Sequence, residues 1–373
     1  MTTLNNLDLF KPYSLGGIEL KNRVVMAPMT RLRALADGTP SDIMADYYSQ
    51  RASAGLIVTE CTMVSPLSHG YMHCPGIYNR EQAQGWHKVT EKVHEMGGLI
   101  FLQLWHSGRV AHPYLLDGQD PIAPSPLAGT GNLHTPKGKV DLPTPRQLSL
   151  EEIPQLVEEF RAAAELARSA NFDGVEIHGA FGYLIDQFLQ DVSNVRQDLY
   201  GGTVENCARF AEAVVSAVTG VFPGRTGIKL SPSNTFYGMG DSDPKALFGY
   251  LLEKLNAYAL AYVHLMEPSP ADLERGVPVE NVLATFRSLC KHPVISNGGY
   301  DKSRAREAIG SGNSDLVSFG RPFIANPDLV YRFKNDLQLK EANPQTFYGQ
   351  GPDSKAGYTD YEVSDAAVGN RKY

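Results

Sequence analysis

Two side chains in the segment 175–190 have types and a spacing that suit carbonyl chemistry. His178 ends a short apolar run that reads as a buried strand. Tyr183 follows five residues later, where an amphipathic run reads as a helix. An imidazole N–H can donate to an oxygen and a phenol can release a proton, so the pair suits polarising a carbonyl and protonating a carbon. Taken singly, His178 reads more readily as a satisfied core histidine and Tyr183 as a packing aromatic.

A second set sits late in the chain. Gly298-Gly299 follows the apolar run ending at Asn297, and Arg321 follows the run ending at Gly320. Paired glycines let backbone N–H groups approach a phosphate, and an arginine supplies charge and directed donors for it. The alternative is a simple turn with Arg321 paired to a carboxylate. No G-x-G-x-x-G and no Walker sequence occurs, which argues against a dinucleotide or ATP on a Rossmann or P-loop fold. A mononucleotide such as FMN, held by a barrel, is compatible. Gln103, like His178, is a polar group at the end of an apolar run, and a buried amide needs a partner. His69 and His73 stand four apart, but their surroundings read as loop and no third ligand stands out, so no metal site is expected.

These residues need elements to hold them. Short apolar runs with little alternation occur at 23–29, 56–63, 99–105, 174–178, 226–231, 262–266, 293–297 and 316–320, as expected of parallel strands buried on both faces. Helix signals lie between them. Ser149 and Glu152 form a capping-box pattern ahead of a face made by Ile153, Leu156, Val157, Phe160 and Ala164. Trp86, Val89, Val93 and Met96 line another face. Asp243-Pro244 and Asn326-Pro327 each suggest a cap before a proline at the first helical position. Eight strands alternating with helices predict a single (β/α)8 TIM barrel with an N-terminal hairpin, and the chemistry of such barrels sits at the C-terminal ends of the strands. The runner-up is a doubly wound open sheet. One flavin-binding domain is expected over residues 1–373. The Pro- and Gly-rich stretch 107–146 is too long for an ordinary connection and reads as a lid or wall over the site. The tail 344–373, with Phe347, Tyr348, Tyr358 and Tyr361, reads as packed onto the barrel.

Composition narrows the partners. The 373 residues carry a net charge of −7, which argues against nucleic acid and anionic membrane surfaces. No apolar run approaches the roughly 18 residues of a membrane span. The start, Met1-Thr-Thr-Leu-Asn-Asn, has no secretory signature, and four scattered cysteines without a CxxC pair read as reduced thiols, so a cytoplasmic protein is expected, monomer or homodimer.

Together and in this order the motifs resemble the Old Yellow Enzyme family, flavin-dependent ene-reductases, over nearly the whole chain. Beyond the residues above, the resemblance rests on Asn22-Arg23, Tyr47-Tyr48-Ser-Gln-Arg51-Ala, Gln103-Leu-Trp-His-Ser-Gly-Arg109, Asn194-Val-Arg196, Tyr200-Gly-Gly-Thr-Val-Glu205-Asn206, the run from Phe319 to Leu329, and Gly357-Tyr358-Thr359-Asp360-Tyr361. The branch it resembles holds bacterial ene-reductases and plant 12-oxophytodienoate reductases. The resemblance implies non-covalent FMN on a TIM barrel, reduced by NADPH or NADH, with a small activated alkene or a quinone as substrate. By the same resemblance Pro28, Met29, Thr30, Cys61, Gln103, His178 and Lys229 line the flavin ring, with Thr30 tuning its potential. Gly298, Gly299, Gly320 and Arg321 hold the phosphate. His178 donates to the substrate carbonyl, Tyr183 protonates the α-carbon, and Tyr71, Trp105 and Tyr348 shape the pocket.

Two positions depart from the family pattern. Phe181 stands where a second carbonyl donor, His or Asn, is usual. Lys229 stands where arginine is usual, which keeps the charge and loses the planar fork. Two other readings stay open: a barrel aldolase or isomerase using the phosphate site for a sugar phosphate, and a flavin-binding protein whose ene-reductase activity Phe181 has weakened.

Overall fold

The computed structural model describes residues 8–364. The first residues of the chain and the last part of the expected tail, 365–373, lie outside the described residues.

Eight parallel strands close into a barrel: Val24–Met26, Leu56–Met63, Ile100–Trp105, Gly174–Gly179, Thr226–Leu230, Leu260–Met266, Val294–Asn297 and Leu316–Phe319. The last pairs with the first, Val317 beside Val24, so the open-sheet alternative does not hold. The first strand is shorter than its apolar run, because Pro28 has no N–H for the ladder. Alternation decides what faces where. Val175 and Ile177 join the main hydrophobic cluster between strands and helices, whereas Glu176 and His178 share the opposite, barrel-facing side.

The lower end is closed by a hairpin, Tyr13–Leu15 paired with Ile18–Leu20. Its turn residues Gly16 and Gly17 have φ of 55° and 84°, the left-handed pair that a tight two-residue hairpin demands. Leu15 and Leu20 pack with Val25, Leu56, Phe101, Tyr262 and Leu316 near the starts of strands, forming an apolar plug.

Helix signals were met unevenly. Asp243 caps the helix Pro244–Leu255 by accepting from the Ala246 N–H, as its sequence predicts. The Ser149–Glu152 box is half formed: the Ser149 N–H reaches Glu152, whose carboxylate is also held by both Arg146 amino groups. Asn326-Pro327 does not start a helix. The Asn326 amide is spent on the Pro322 and Lys340 carbonyls, and the next helix begins at Leu329. Met96 is 40% exposed and follows the helix Arg80–Glu95 instead of joining its buried face.

Two segments reach over the upper end. The stretch after the third strand carries an antiparallel hairpin, Asn132–Thr135 with Gly138–Asp141, whose Leu133 packs near Tyr71, Tyr183 and Tyr237. The tail after Asn343 is pinned by arginines from near the start of the chain. Arg31 donates to the Phe347 and Gly357 carbonyls, Arg33 to those of Thr346 and Ser354, and Tyr358 stacks on Tyr47 at 4.0 Å.

Candidate active site

The turn between the fourth strand and its helix builds the reactive corner. Phe181 and Gly182 both adopt left-handed backbone, with φ of 56° and 77°. A side chain on Gly182 would meet Met239 at 2.8 Å, so glycine is required there. Left-handed backbone is unfavourable for a bulky residue, and Phe181 is held in it by its N–H bond to Ser231 Oγ at 2.9 Å. The Gly182 N–H bonds Asp186 at 2.8 Å. The double reversal brings Tyr183, at the head of the helix Leu184–Leu189, back beside His178, with ring centroids 5.1 Å apart.

His178 is positioned as a neutral donor. Burial, with Lys229 nearby, lowers its pKa to about 3. Its Nδ1 accepts the Ala180 N–H at 3.3 Å, which puts the imidazole proton on Nε2. Beneath it, Glu176 receives the Gln103 amide at 2.8 Å, the Tyr262 hydroxyl at 3.0 Å and His264 Nδ1 at 2.8 Å. Burial opposes ionisation of this carboxyl, but His264, Lys229 and Gln103 outweigh it and hold its pKa below the usual carboxylate range. A carboxylate can only accept, so Gln103 must turn its NH2 toward Glu176. That leaves the amide oxygen without a partner among the described residues. Lys229, opposite His178 across the strand pair, is buried; burial lowers its pKa to about 8, partly offset by Glu176.

His178, Gln103 and Lys229 face a cavity of about 840 Å³, lined also by Pro28, Thr30, Cys61, Tyr71, Phe181, Tyr183 and Tyr348. Thr30 Oγ1 lies 3.3 Å from Cys61 Sγ. Trp105 stands behind the cavity instead of lining it. It is fully buried, stacked on Tyr71 at 5.7 Å and edge-on to Tyr183 at 5.1 Å, so it shapes the pocket only through those rings. Sequence reasoning did not find Tyr237 and Phe236, which enter from the loop after the fifth strand, nor Leu133, Gly349 and Gln350. The unusual length of that loop was the available signal.

A second cavity of about 850 Å³ holds the other predicted set: Gly298, Gly299, Gly320 and Arg321. Their walls meet where Lys229 Nζ, of the first, lies 3.3 Å from Asn297 Oδ1, of the second, and Met29 approaches Gly320, its sulfur 3.5 Å from where a Cβ would lie.

The expected FMN can be tested against these residues. Gly298 has a φ of 129°, and a Cβ there would fall 2.7 Å from that of Glu267. Gly299 has a φ of 65° and open space on that side. The Arg321 guanidinium is exposed and makes no hydrogen bond or ion pair among the described residues, which removes the carboxylate-partner alternative there. The bordering Glu267 carboxylate is spent on the Val282 and Leu283 N–H groups. One end thus offers a cation and a glycine cradle. The other offers a buried ammonium and a free amide oxygen, matching a flavin edge of mixed acceptors and donors. The residues fit the group.

The comparisons with known proteins agree. Residues 8–340 match the NADH:flavin oxidoreductase / NADH oxidase family. The chain is 43% identical over 360 residues to 12-oxophytodienoate reductase 1 of Oryza sativa subsp. japonica, covering 95% of this chain and 93% of that one. It is similar in structure to morphinone reductase, with a TM-score of 0.92 at 44% identity over 98% and 99% of the two chains. It is also similar to the old yellow enzyme homologue from Zymomonas mobilis, with a TM-score of 0.91 at 41% identity over 96% and 100% of the chains. The chain belongs to the NADH:flavin oxidoreductase / NADH oxidase family, the Old Yellow Enzyme family, and is an NAD(P)H-dependent flavin oxidoreductase that uses FMN.

Proposed function

We propose that the protein takes reducing equivalents from NADPH or NADH and reduces the C=C bond of activated alkenes: α,β-unsaturated carbonyls, maleimides and nitroalkenes, with quinones as further acceptors. The carrying observation is the corner where a neutral His178, with its proton on Nε2, meets the Tyr183 phenol at the wall of one cavity. Relatives named for 12-oxophytodienoate and morphinone reduction support the reading.

Bound FMN supplies the two-electron chemistry between the nicotinamide and the alkene. The chain's residues do the rest. Gly298, Gly299, Gly320 and Arg321 take the phosphate. Lys229, Gln103, Thr30, Pro28, Met29 and Cys61 hold the ring, the ammonium and the amide fixing its polar edge. His178 Nε2–H donates to the substrate carbonyl, which draws charge from the β-carbon and makes it electrophilic. Tyr183 delivers a proton to the α-carbon; packing around its ring raises its pKa well above that of a free phenol, so the proton is present at neutral pH. Tyr71, Tyr348 and the hairpin bearing Leu133 shape the substrate space and exclude water, with 107–146 acting as a wall. Four cysteines, all free thiols, support a cytoplasmic setting.

Phe181 favours a second reading, a flavoprotein with weakened ene reduction, because its ring offers no donor where the carbonyl would want two. One anaerobic experiment separates them. NADPH should bleach the flavin, and 2-cyclohexenone or N-ethylmaleimide should restore its colour. In Tyr183→Phe the alkene-driven step should slow by about 10²–10⁴-fold relative to flavin reduction. Equal slowing of both steps would make Tyr183 structural, and no reoxidation by any alkene would favour the second reading.

A further inference from the structure

Tyr183 does not stand alone. Its hydroxyl lies 2.8 Å from that of Tyr71, which lies 2.7 Å from that of Tyr237. Independent elements bring the three hydroxyls together, with the Tyr183 and Tyr237 rings 6.0 Å apart. Tyr71 follows the second strand and is stacked on Trp105. Tyr237 follows the fifth strand in left-handed backbone, φ 55°, with its carbonyl accepting from the Thr130 N–H at 3.0 Å and from Arg109 at 3.2 Å. Tyr237 is only partly buried and lines the cavity.

A phenol has one proton and two acceptor lone pairs. If Tyr183 is to point its proton at a carbon, it cannot also donate to Tyr71. The hydrogen bonds must then run one way, Tyr237 to Tyr71 and Tyr71 to Tyr183. Once Tyr183 has given up its proton, its oxygen is a phenolate in a packed aromatic corner, a costly charge unless something donates to it. Tyr71 is already aimed to do so.

We propose that Tyr237, Tyr71 and Tyr183 form a proton relay, its shortest contacts running through Tyr71, that feeds the α-carbon and refills the acid after each turnover. This rests on the role given to Tyr183 above. In the step, the Tyr183 O–H bond breaks and an α-carbon–hydrogen bond forms, using the electron pair of the enolate-like product of reduction. The Tyr71 proton moves to the Tyr183 oxygen, the Tyr237 proton to the Tyr71 oxygen, and a solvent proton enters at Tyr237. One proton enters and one leaves on carbon; the phenols end protonated as before with their hydrogen bonds reversed, and each O–H rotates back before the next turnover. Tyr71 and Tyr237 thereby become specificity-determining residues, because acceptors protonated on oxygen by water, such as quinones, do not need them.

The test compares Tyr183→Phe, Tyr71→Phe and Tyr237→Phe in the reduced holoenzyme, with 2-cyclohexenone and a benzoquinone as acceptors, in mixtures of H2O and D2O. The ratio of alkene to quinone rate should fall by about 10²–10⁴-fold in Tyr183→Phe, the scale of a lost general acid. It should fall by about tenfold in Tyr71→Phe, and by less in Tyr237→Phe. The dependence of the alkene rate on deuterium fraction should be curved in the wild type, where several protons move, and straighter in Tyr71→Phe. A readout independent of turnover is 3,5-difluorotyrosine at position 183, acidic enough to titrate. Its 19F midpoint should rise in Tyr71→Phe, because the phenolate has lost a donor.

A Tyr183→Phe loss with ratio, curvature and midpoint unchanged in both Tyr71→Phe and Tyr237→Phe would overturn the relay and leave the acid assignment standing. No loss in Tyr183→Phe would overturn both. Equal slowing with both acceptors in Tyr71→Phe would also overturn it. Should Tyr71→Phe fail to fold, Tyr237→Phe decides by the same ratio.

Discussion

The two ends of the proposed cofactor groove obey different rules. The end formed after strands seven and eight keeps the expected pieces: two glycines in backbone that favours glycine and an arginine with no protein partner among the described residues. The end formed by strands four and five carries both departures. Phe181 sits in left-handed backbone, and Lys229 packs near it, its ammonium 5.3 Å from the ring centre. A phosphate is the same in every turnover, so its cradle has one solution. The reacting end must match an acceptor, and Phe181, which is given no part in holding the cofactor, can change without loosening it.

If that division holds, the largest effect should come from Phe181→Asn. Asparagine tolerates left-handed backbone and adds an amide donor for the substrate oxygen. Removing such a donor from an oxyanion-type site typically costs about 10²–10³-fold in rate. Activity on 2-cyclohexenone should therefore rise by up to about that factor, with little change for maleimides and nitroalkenes. A wild type that already reduces cyclohexenone as fast as maleimide, unaltered by the substitution, would show that another group donates.

Arg321→Ala tests the other end. FMN retention should weaken by about 1.5–3 kcal/mol, the scale of hydrogen bonds to a charged group, while the order of preference among alkenes stays as it was. Equilibrium dialysis of the flavin measures this, and unchanged retention would place the phosphate elsewhere.

The smallest effect concerns Lys229. Burial lowers its pKa to about 8 from an ordinary 10.5. In the folded apoprotein its charge is a penalty, fully present below pH 8. Between about 8 and 10.5 the unfolded chain binds the extra proton, so this residue's contribution raises stability as pH rises through that window. Urea titrations of apoprotein should show that slope diminished in Lys229→Met. Parallel curves would mean the ammonium is solvated.

Much of this was legible in the sequence. Buried parallel strands leave uninterrupted apolar runs, and all eight strands fell within a few residues of theirs. His178 and Tyr183 were legible because strand, turn and helix are consecutive in the chain. Tyr237 was not, since the loop after Thr235 has no period to read and its contact with Tyr71 spans 166 positions. The left-handed backbone at Phe181 was hidden because phenylalanine is a residue type that seldom adopts it. Trp105 was misplaced by one layer: a strand-end aromatic can line a cavity or back the rings that do, and only the fold distinguishes them.

The arginine clasp on the tail has a consequence for how the enzyme comes into being. Arg31 and Arg33 close contacts across more than 310 positions, and the tail they hold brings Tyr348, Gly349 and Gln350 to the cavity. During synthesis the barrel strands are made long before that wall. Loop-closure entropy favours the nearer pairings first. A nascent chain released early, or clipped between Asn343 and Tyr358, would keep the barrel's hydrogen-bonded ladder while lacking one side of its substrate space. Such a molecule would take up flavin with its reacting face open to water and oxygen. The clasp thus makes completion of the polypeptide a condition for a closed reaction chamber.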